Sequence, residues 1–394
     1  QNEDPEFDLL FDSQEEAQSY VDRYKQSVLA DGSKVVAERV NFAPQPQSSM
    51  SVIDQHTGYV KAIVGGRGKK TASLTLNRAT DTTRQPGSTF KVVSTYAPAL
   101  NEKGMTLATT FEDEPYNYPD GSPVENASRT YGGTTTIRKA IQNSVNVVAV
   151  KCLEEVTPEL GLQYLDNFGF TTLAHGTEAD TDANGTVWTD ANLPLALGGL
   201  THGVTNVELC AAYAAIANQG NYIEPLYYTK ILDHSGNVLI EKTSAERSVI
   251  KESTAWLLTS AMEDVVKNGT GTACQLDNMT VAGKTGTAQK SPRSENKWLI
   301  SFIGHAPADN PKFAIYVIID EPDGTTGTSG NSADVLQLSH DILEKLLPYM
   351  SVYKDALDEP VDTSNSEDEL TVGDVPEGSI SNTTETNQTM PSVD

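Results

Sequence analysis

The stretch RQPGSTFK, residues 84–91, lies between a Thr-rich segment and the helix-like run VVSTYAPAL. Ser88 stands three residues before Lys91, so on a helix the two share a face. Pro86-Gly87 reads as a turn that delivers the chain into that helix with the serine in its first turn. Backbone N–H groups are unpaired there, and the helix dipole favours an anion. A serine so placed serves either as a cap or as a nucleophile whose developing oxyanion is stabilised.

Spacing alone does not choose between them, because Ser-x-x-Lys also occurs at Ser248/Lys251, Ser294/Lys297 and Ser351/Lys354. Ser248 reads as the start of a helix, Ser294 falls in the turn-like SPRSENK, and Ser351 borders a polar tail. Only Ser88 follows a Pro-Gly turn into a helix. The nucleophile reading requires that Lys91 be neutral, and an ordinary lysine, with a pKa of about 10.4, is not. Burial or a second cation must therefore lower it. Lys284, in GKTGT at 283–287, can supply that positive potential; Thr287 offers a hydroxyl and an N–H to a carboxylate. Gly286 removes a side chain where a ligand backbone can lie along the strand. The third piece is NSVN, 143–146, at the junction of two helical runs, where Ser144 also reads as a helix cap. Ser-x-Asn by itself is weak, since Ser235, Ser294 and Ser329 match it within turns.

Outward from these motifs, two β-rich runs at 50–54 and 59–64 form a hairpin around Gly58. Helical patterns fill the middle: FKVVSTYAPALNE, TTIRKAIQNS, VNVVAVKCLEEV, NVELCAAYAAIANQG closed by Gly220, and STAWLLTSAMEDVVKNG closed by Gly269. Three β-rich runs follow, MTVAGKTGTAQK, KWLISFIGHAP and KFAIYVIIDEP, and then the amphipathic SADVLQLSHDILEKLLPYM. Strands at both ends with helices between predict an α+β fold. Its antiparallel sheet is built from N- and C-terminal strands, is flanked by helices and carries a large all-helical insertion. Ahead of it, Ser13 and Glu16 form a capping box for a helix that stops by Gly32.

Composition sets the outer limits. The chain has 394 residues, 38% of them hydrophobic, enough for a sizeable core. A formal charge of −26, from 28 Lys+Arg against 54 Asp+Glu, argues against nucleic-acid binding. Eleven of the acidic residues fall in 355–394, which has no Lys or Arg. Such a segment cannot bury enough apolar surface to order itself, so residues from Asp358 on read as disordered. Cys152, Cys210 and Cys274 show neither a disulfide framework nor a metal spacing, and the six histidines form no metal pattern. No run of about 18 apolar residues occurs, and a start at Gln1 leads us to expect an upstream segment that would carry any anchor.

STFK, SVN and KTGT in this order resemble the active-site set of penicillin-binding proteins and serine β-lactamases. Together with VIDQHTGYVKAIVGG, NRAT, ALGGLTHGVTNVELCAAYAAIANQG, GTGTA and WLISFIGHAP, they make residues from about Ser49 to Leu347 similar to the transpeptidase domain of a class A, bifunctional penicillin-binding protein. The glycosyltransferase signature of that family is absent here, so the resemblance implies such a domain upstream in the intact protein. It implies a connecting segment with one helix at 1–48, the transpeptidase domain at 49–350 and an acidic tail at 351–394. Ser88 would be the acylated nucleophile and Lys91 its proton acceptor. Ser144 would relay the proton to the leaving amine, and Asn146 would bind the donor amide. Lys284 would hold the proton network, Thr285 and Thr287 the terminal carboxylate, and the N–H groups of Ser88 and Thr287 the oxyanion.

The implied reaction releases D-Ala from peptidoglycan stem peptides ending in D-Ala-D-Ala and cross-links the acyl group to a neighbouring amine, with β-lactams as mimics. It calls for no metal or organic cofactor, and it belongs at the extracytoplasmic face of the bacterial membrane. Hydrolysis by a D,D-carboxypeptidase or a β-lactamase shares the acyl-enzyme, and a β-lactam sensor domain shares the motifs. Class A β-lactamases resemble the chain least: they carry Asp where Val145 stands, and Glu178 and Asn184 do not have the spacing of their general-base loop.

Overall fold

The computed structural model describes residues 11–353, apart from 30–31, 39, 41, 71–72, 278, 291–296 and 323–331. Its centre is an antiparallel sheet of β1 (Gln47–Ile53), β2 (Val60–Val64), β3 (Ala282–Gln289), β4 (Trp298–Ala306) and β5 (Phe313–Asp320), in the spatial order β3-β4-β5-β1-β2. The first and last strands in sequence meet where β1 pairs with β5, with Val52 opposite Ile315. The sheet is thus assembled from both ends of the domain, as the run of elements predicts.

Alternation along the strands sends their side chains to two different layers. Ile300, Phe302, Ile315 and Val317 pack with Val335, Leu343 and Leu347 in one apolar cluster. The last three lie on α8 (Ala333–Tyr349), the closing helix. The opposite face, with Ile303, Ala314, Tyr316 and Ile318, joins the larger cluster built by the helices. Between the two layers, β4 and β5 are buried along nearly their whole length.

The helical part comprises a segment α2 (87–101), α3 (Ile137–Asn143), α4 (Asn146–Val156), α5 (Pro158–Asn167), α6 (Asn206–Ala217) and α7 (Glu252–Asn268). All of the 12 residues of α6 are buried except Glu208. Its sequence NVELCAAYAAIA is apolar on every side, the pattern of a helix enclosed by others. It packs on β1 and β5. Ser51 Oγ bonds Asn206 Oδ1 at 2.5 Å, and the Cys210 thiol faces the carbonyls of Ser51 and Ala314.

The insertion is not all-helical, and this corrects the sequence expectation. Four two-stranded ribbons interrupt it: Thr110–Asp113 with Gly133–Thr136, Tyr116–Asn117 with Pro123–Val124, Asn221–Ile223 with Glu246–Ser248, and Lys230–Leu232 with Val238–Glu241. Two close on the Asp-Gly and Ser-Gly turns at 120–121 and 235–236, where glycine supplies the positive φ. Ser248 therefore ends a ribbon strand and does not start a helix, while Lys251 is spent on the Asn101 carbonyl. Residues 14–28 form the capped helix expected at the N-terminus, which leaves only Ala17 buried. The tail from 354 onward, Ser294 and Ser329 lie outside the described residues.

Candidate active site

Helix α2 changes pitch along its length. It opens with one 3₁₀ turn at Gly87–Thr89, widens to a π-helical stretch at Val92–Tyr96 and ends as α-helix at Ala97–Asn101. The first turn is braced: Thr89 Oγ1 donates to the Pro86 carbonyl at 2.7 Å, and Tyr213 on α6 donates its hydroxyl to the Thr89 carbonyl at 2.6 Å. Ser88 is half-buried in that turn.

Glycines let three chain segments converge on it. Gly87 has φ +57°, and a Cβ there would run into the Thr287 carbonyl. A Cβ on Gly198 would lie 2.7 Å from the Gly87 nitrogen. These contacts set the backbone of Thr287 against the residue before Ser88. A side chain at Gly286 would strike Ser301 Oγ and approach Thr89 Cγ2 to 2.8 Å. The bare position thus makes room for the turn that carries Ser88.

Lys91, one turn along α2, and Lys284, in the middle of β3, are both fully buried. Lys91 Nζ contacts the Ser144 carbonyl at 2.7 Å, Ser144 Oγ at 3.2 Å and Asn146 Oδ1 at 2.6 Å. Lys284 Nζ contacts the same Ser144 Oγ at 2.8 Å and the Thr285 carbonyl at 3.0 Å. One hydroxyl therefore lies between two amines. Among the described residues neither lysine has an ion-pair partner. Burial, and then the neighbouring Lys284, hold the Lys91 amine well below its ordinary range. Burial lowers Lys284 to about 7. Two uncompensated charges cannot both persist in a dry interior, so this arrangement keeps a neutral amine available as a base.

Ser144 is held in the left-handed region, φ 56° and ψ 41°, as the cap between α3 and α4. Such strain in a non-glycine residue points to function. Ser144 thus ends a helix, and its hydroxyl lies between the two lysine amines. Asn146 opens α4, with its amide oxygen on Lys91 and its Nδ2 donating to the Glu125 carbonyl at 2.7 Å. Thr285 is buried against Thr270 at 2.7 Å between hydroxyls, while Thr287 faces the cleft.

Two points depart from the sequence reading. The hydrogen bonds of Lys91 go to Ser144 and Asn146 and none reaches Ser88, because SVN draws the amine across the helix face. The second is a residue that motif reading missed. Asn126, buried on a connecting segment, accepts from the N–H groups of Asn146 at 2.9 Å and Val147 at 3.2 Å, capping α4 from 20 residues away. Its Nδ2 is in turn anchored on Asp113 at 2.7 Å. No local pattern announces a cap supplied by another segment.

Ser88, Asn146 and Thr287 share a cleft of about 570 Å³, with Trp188, Asn192 and Leu197 on its walls. A larger hollow of about 960 Å³ does not reach Ser88, but it joins the cleft through Tyr118, Asn192, Pro194 and Leu197. Glu178 and Asn184 line neither space. Among the described residues no His, Cys, Asp or Glu cluster fits a metal, and the three cysteines are free and buried.

The family profile "Penicillin binding protein transpeptidase domain" matches residues 49–344. The chain belongs to this family. Penicillin-binding protein 1A of Clostridium botulinum is 30% identical over 345 residues, covering 84% of this chain and 39% of that protein. Penicillin-binding protein 1F of Bacillus subtilis is 33% identical, covering 75% of this chain and 38% of its own length. The chain thus spans about two fifths of these relatives. The D,D-transpeptidase domain of a peptidoglycan glycosyltransferase from Eggerthella lenta superposes with a TM-score of 0.62 at 22% identity, over 78% of this chain and 79% of that one. Penicillin binding protein 3 of Mycobacterium tuberculosis, solved with ampicillin, gives 0.66 at 23%, over 80% and 74%. At that identity the two structures establish the fold.

Proposed function

We propose that this chain is a peptidoglycan D,D-transpeptidase acting through a Ser88 acyl-enzyme. The observation that carries the reading is the pair of fully buried lysines around Ser144, with Lys91 one helical turn from Ser88 and, among the described residues, neither lysine paired with a carboxylate. A neutral amine there accepts the Ser88 proton as Oγ attacks the penultimate D-Ala carbonyl. The N–H groups of Ser88 and Thr287 receive the oxyanion, Thr285 and Thr287 hold the terminal carboxylate beside Lys284, and Gly286 lets that strand close on the nucleophile. Ser144, in contact with both amines, hands the proton to the departing D-Ala nitrogen. An acceptor amine then resolves the ester.

β-Lactams, which mimic the D-Ala-D-Ala end, acylate the same serine. Residues 49–350 form the catalytic domain in this reading, 1–48 a connection and 351–394 a tail. The length of the relatives supports a whole protein that carries an upstream glycosyltransferase domain and an anchor at the outer face of the cell membrane. Among the described residues no helix is long and apolar enough to cross a membrane.

The test is fluorescent-penicillin labelling followed by denaturing electrophoresis. Native protein labels and Ser88→Ala does not; equal labelling of the two would refute the reading. Product analysis with a thioester donor and an amine acceptor then separates transfer from hydrolysis.

A further inference from the structure

We propose that the hollow beside the catalytic cleft is the acceptor subsite, and that Glu125 selects an acceptor carrying an ammonium group on an aliphatic stem. The inference rests on the transpeptidase reading and identifies the second substrate's place. The hollow and the cleft share four wall residues, Tyr118, Asn192, Pro194 and Leu197, so a ligand in one reaches Ser88 in the other. Its walls are largely apolar, with Tyr118, Pro123, Leu193 and Pro194 suited to methylene groups.

Charge gives the direction. No Lys, Arg or His lines either space. The carboxylates differ in what they have left to offer. Asp190 is buried, and its two oxygens accept from Thr201 and Ala174. Asp120 accepts from the Ser122 hydroxyl and N–H, both at Oδ1, which ties its carboxylate to its own turn. Glu125 is exposed, and no hydrogen bond or ion pair of its carboxylate occurs among the described residues. Its backbone is nevertheless fixed to the catalytic group, because its carbonyl accepts from Asn146 and the next residue caps α4. A second acceptor waits nearby: Asn192 Oδ1, on the wall common to both spaces, is buried and unpartnered. The trough therefore has Thr287, on the strand of Lys284, at one end and a carboxylate at the other. That polarity suits a donor carboxylate at one end and an acceptor ammonium at the other.

In the step itself the ammonium leaves Glu125 and loses a proton to solvent, and the free amine nitrogen moves into the cleft and attacks the Ser88 ester carbonyl. A C–N bond forms, the ester C–O bond breaks, and the second amine proton passes by way of Lys91 to Ser88 Oγ.

The experiment uses the full chain, a thioester donor without an amine, and Nα-acetyl-lysine amide as acceptor. Glu125→Gln should acylate at the wild-type rate yet need about two- to fivefold more acceptor for half-maximal transfer, the upper range for losing an exposed ion pair. Glu125→Lys should raise that concentration further. Salt should weaken acceptor binding in the wild type and much less in Glu125→Gln, since only the charged pair is screened. Glu246→Gln, on a distant ribbon, should change nothing. An unchanged acceptor requirement in Glu125→Gln overturns the inference alone. So does a Glu125→Gln defect that appears only when the donor carries the amine, because the hollow would then serve the donor. Hydrolysis as the only outcome in the wild type would overturn the transpeptidase reading as well.

Discussion

The two faces of the central sheet solve different problems with the same strands. Toward α8, Ile300, Phe302, Ile315 and Val317 meet Val335, Leu343 and Leu347 in an apolar layer. Toward the helices, the sheet carries Lys284, Ser301, His305 and Tyr316, all buried, and Lys284 meets the Ser144 hydroxyl that also contacts Lys91 on α2. The first layer gains free energy from each methylene it hides. The second buries amines, an imidazole and hydroxyls, whose desolvation costs several kcal/mol unless they are paired or neutral. The first face serves packing, while the second, which also joins the larger apolar cluster, gives part of that stabilisation up for chemistry. Mutations should separate the two.

The largest expected effect is on the chemical face. Lys284→Met should slow acylation by at least about 100-fold, the scale of a lost proton-transfer partner. It should leave thermal stability at neutral pH equal to wild type or higher. The sign follows from linkage. Burial puts the folded pKa at about 7 against a reference value of 10.5. The destabilisation is full below pH 7 and fades as pH rises toward 10.5, so wild type should gain on Lys284→Met across that window. A large loss of stability in Lys284→Met at neutral pH would show that the lysine is structural.

Leu343→Ala tests the other face. A fully buried leucine of α8 is removed, at a cost of roughly 2–5 kcal/mol in denaturant titrations. Penicillin labelling per folded molecule should not change. A slowed acylation rate in that variant would mean that the two layers are coupled through the sheet.

A titration sharpens the contrast further. His305 is fully buried on the chemical face, with Nδ1 unpartnered and Nε2 3.4 Å from Thr259 Oγ1, and burial lowers its pKa to about 4. The unfolded chain binds the proton first, so stability should fall as pH drops from 6.5 to about 4, by about 3 kcal/mol in all. His305→Gln should flatten that part of the profile. An identical slope in the variant would assign acid sensitivity to other groups.

The smallest effect concerns support. Tyr213→Phe removes the hydroxyl that donates to the Thr89 carbonyl, a buried hydrogen bond worth about 1 kcal/mol. Because Thr89 follows the nucleophile, acylation should also slow severalfold. Stability loss with an unchanged acylation rate would limit Tyr213 to packing.

Much of this site is legible in the chain itself. Pro86-Gly87 before Ser88, the Lys91 spacing, SVN and KTGT name the residues that the fold gathers, and the order of strand-like and helical runs gives a sheet closed by both ends of the domain. These features are readable because they are local: a turn, a helical spacing and a two-residue alternation follow from backbone geometry over a few residues. Other features depend on segments far apart in sequence. The lowered pKa of Lys91 depends on burial and on Lys284, 193 residues later. The need for Gly286 depends on what lies across from it, Ser301 and Thr89. The cap on α4 comes from Asn126, and Glu125 gains its place beside the cleft through Asn146. Desolvation, close approach and long-range hydrogen bonds arise only when distant segments meet. The amino-acid sequence thus determined which groups are present and how their neighbours shape them locally, and the tertiary structure decided their protonation, their partners and their reach.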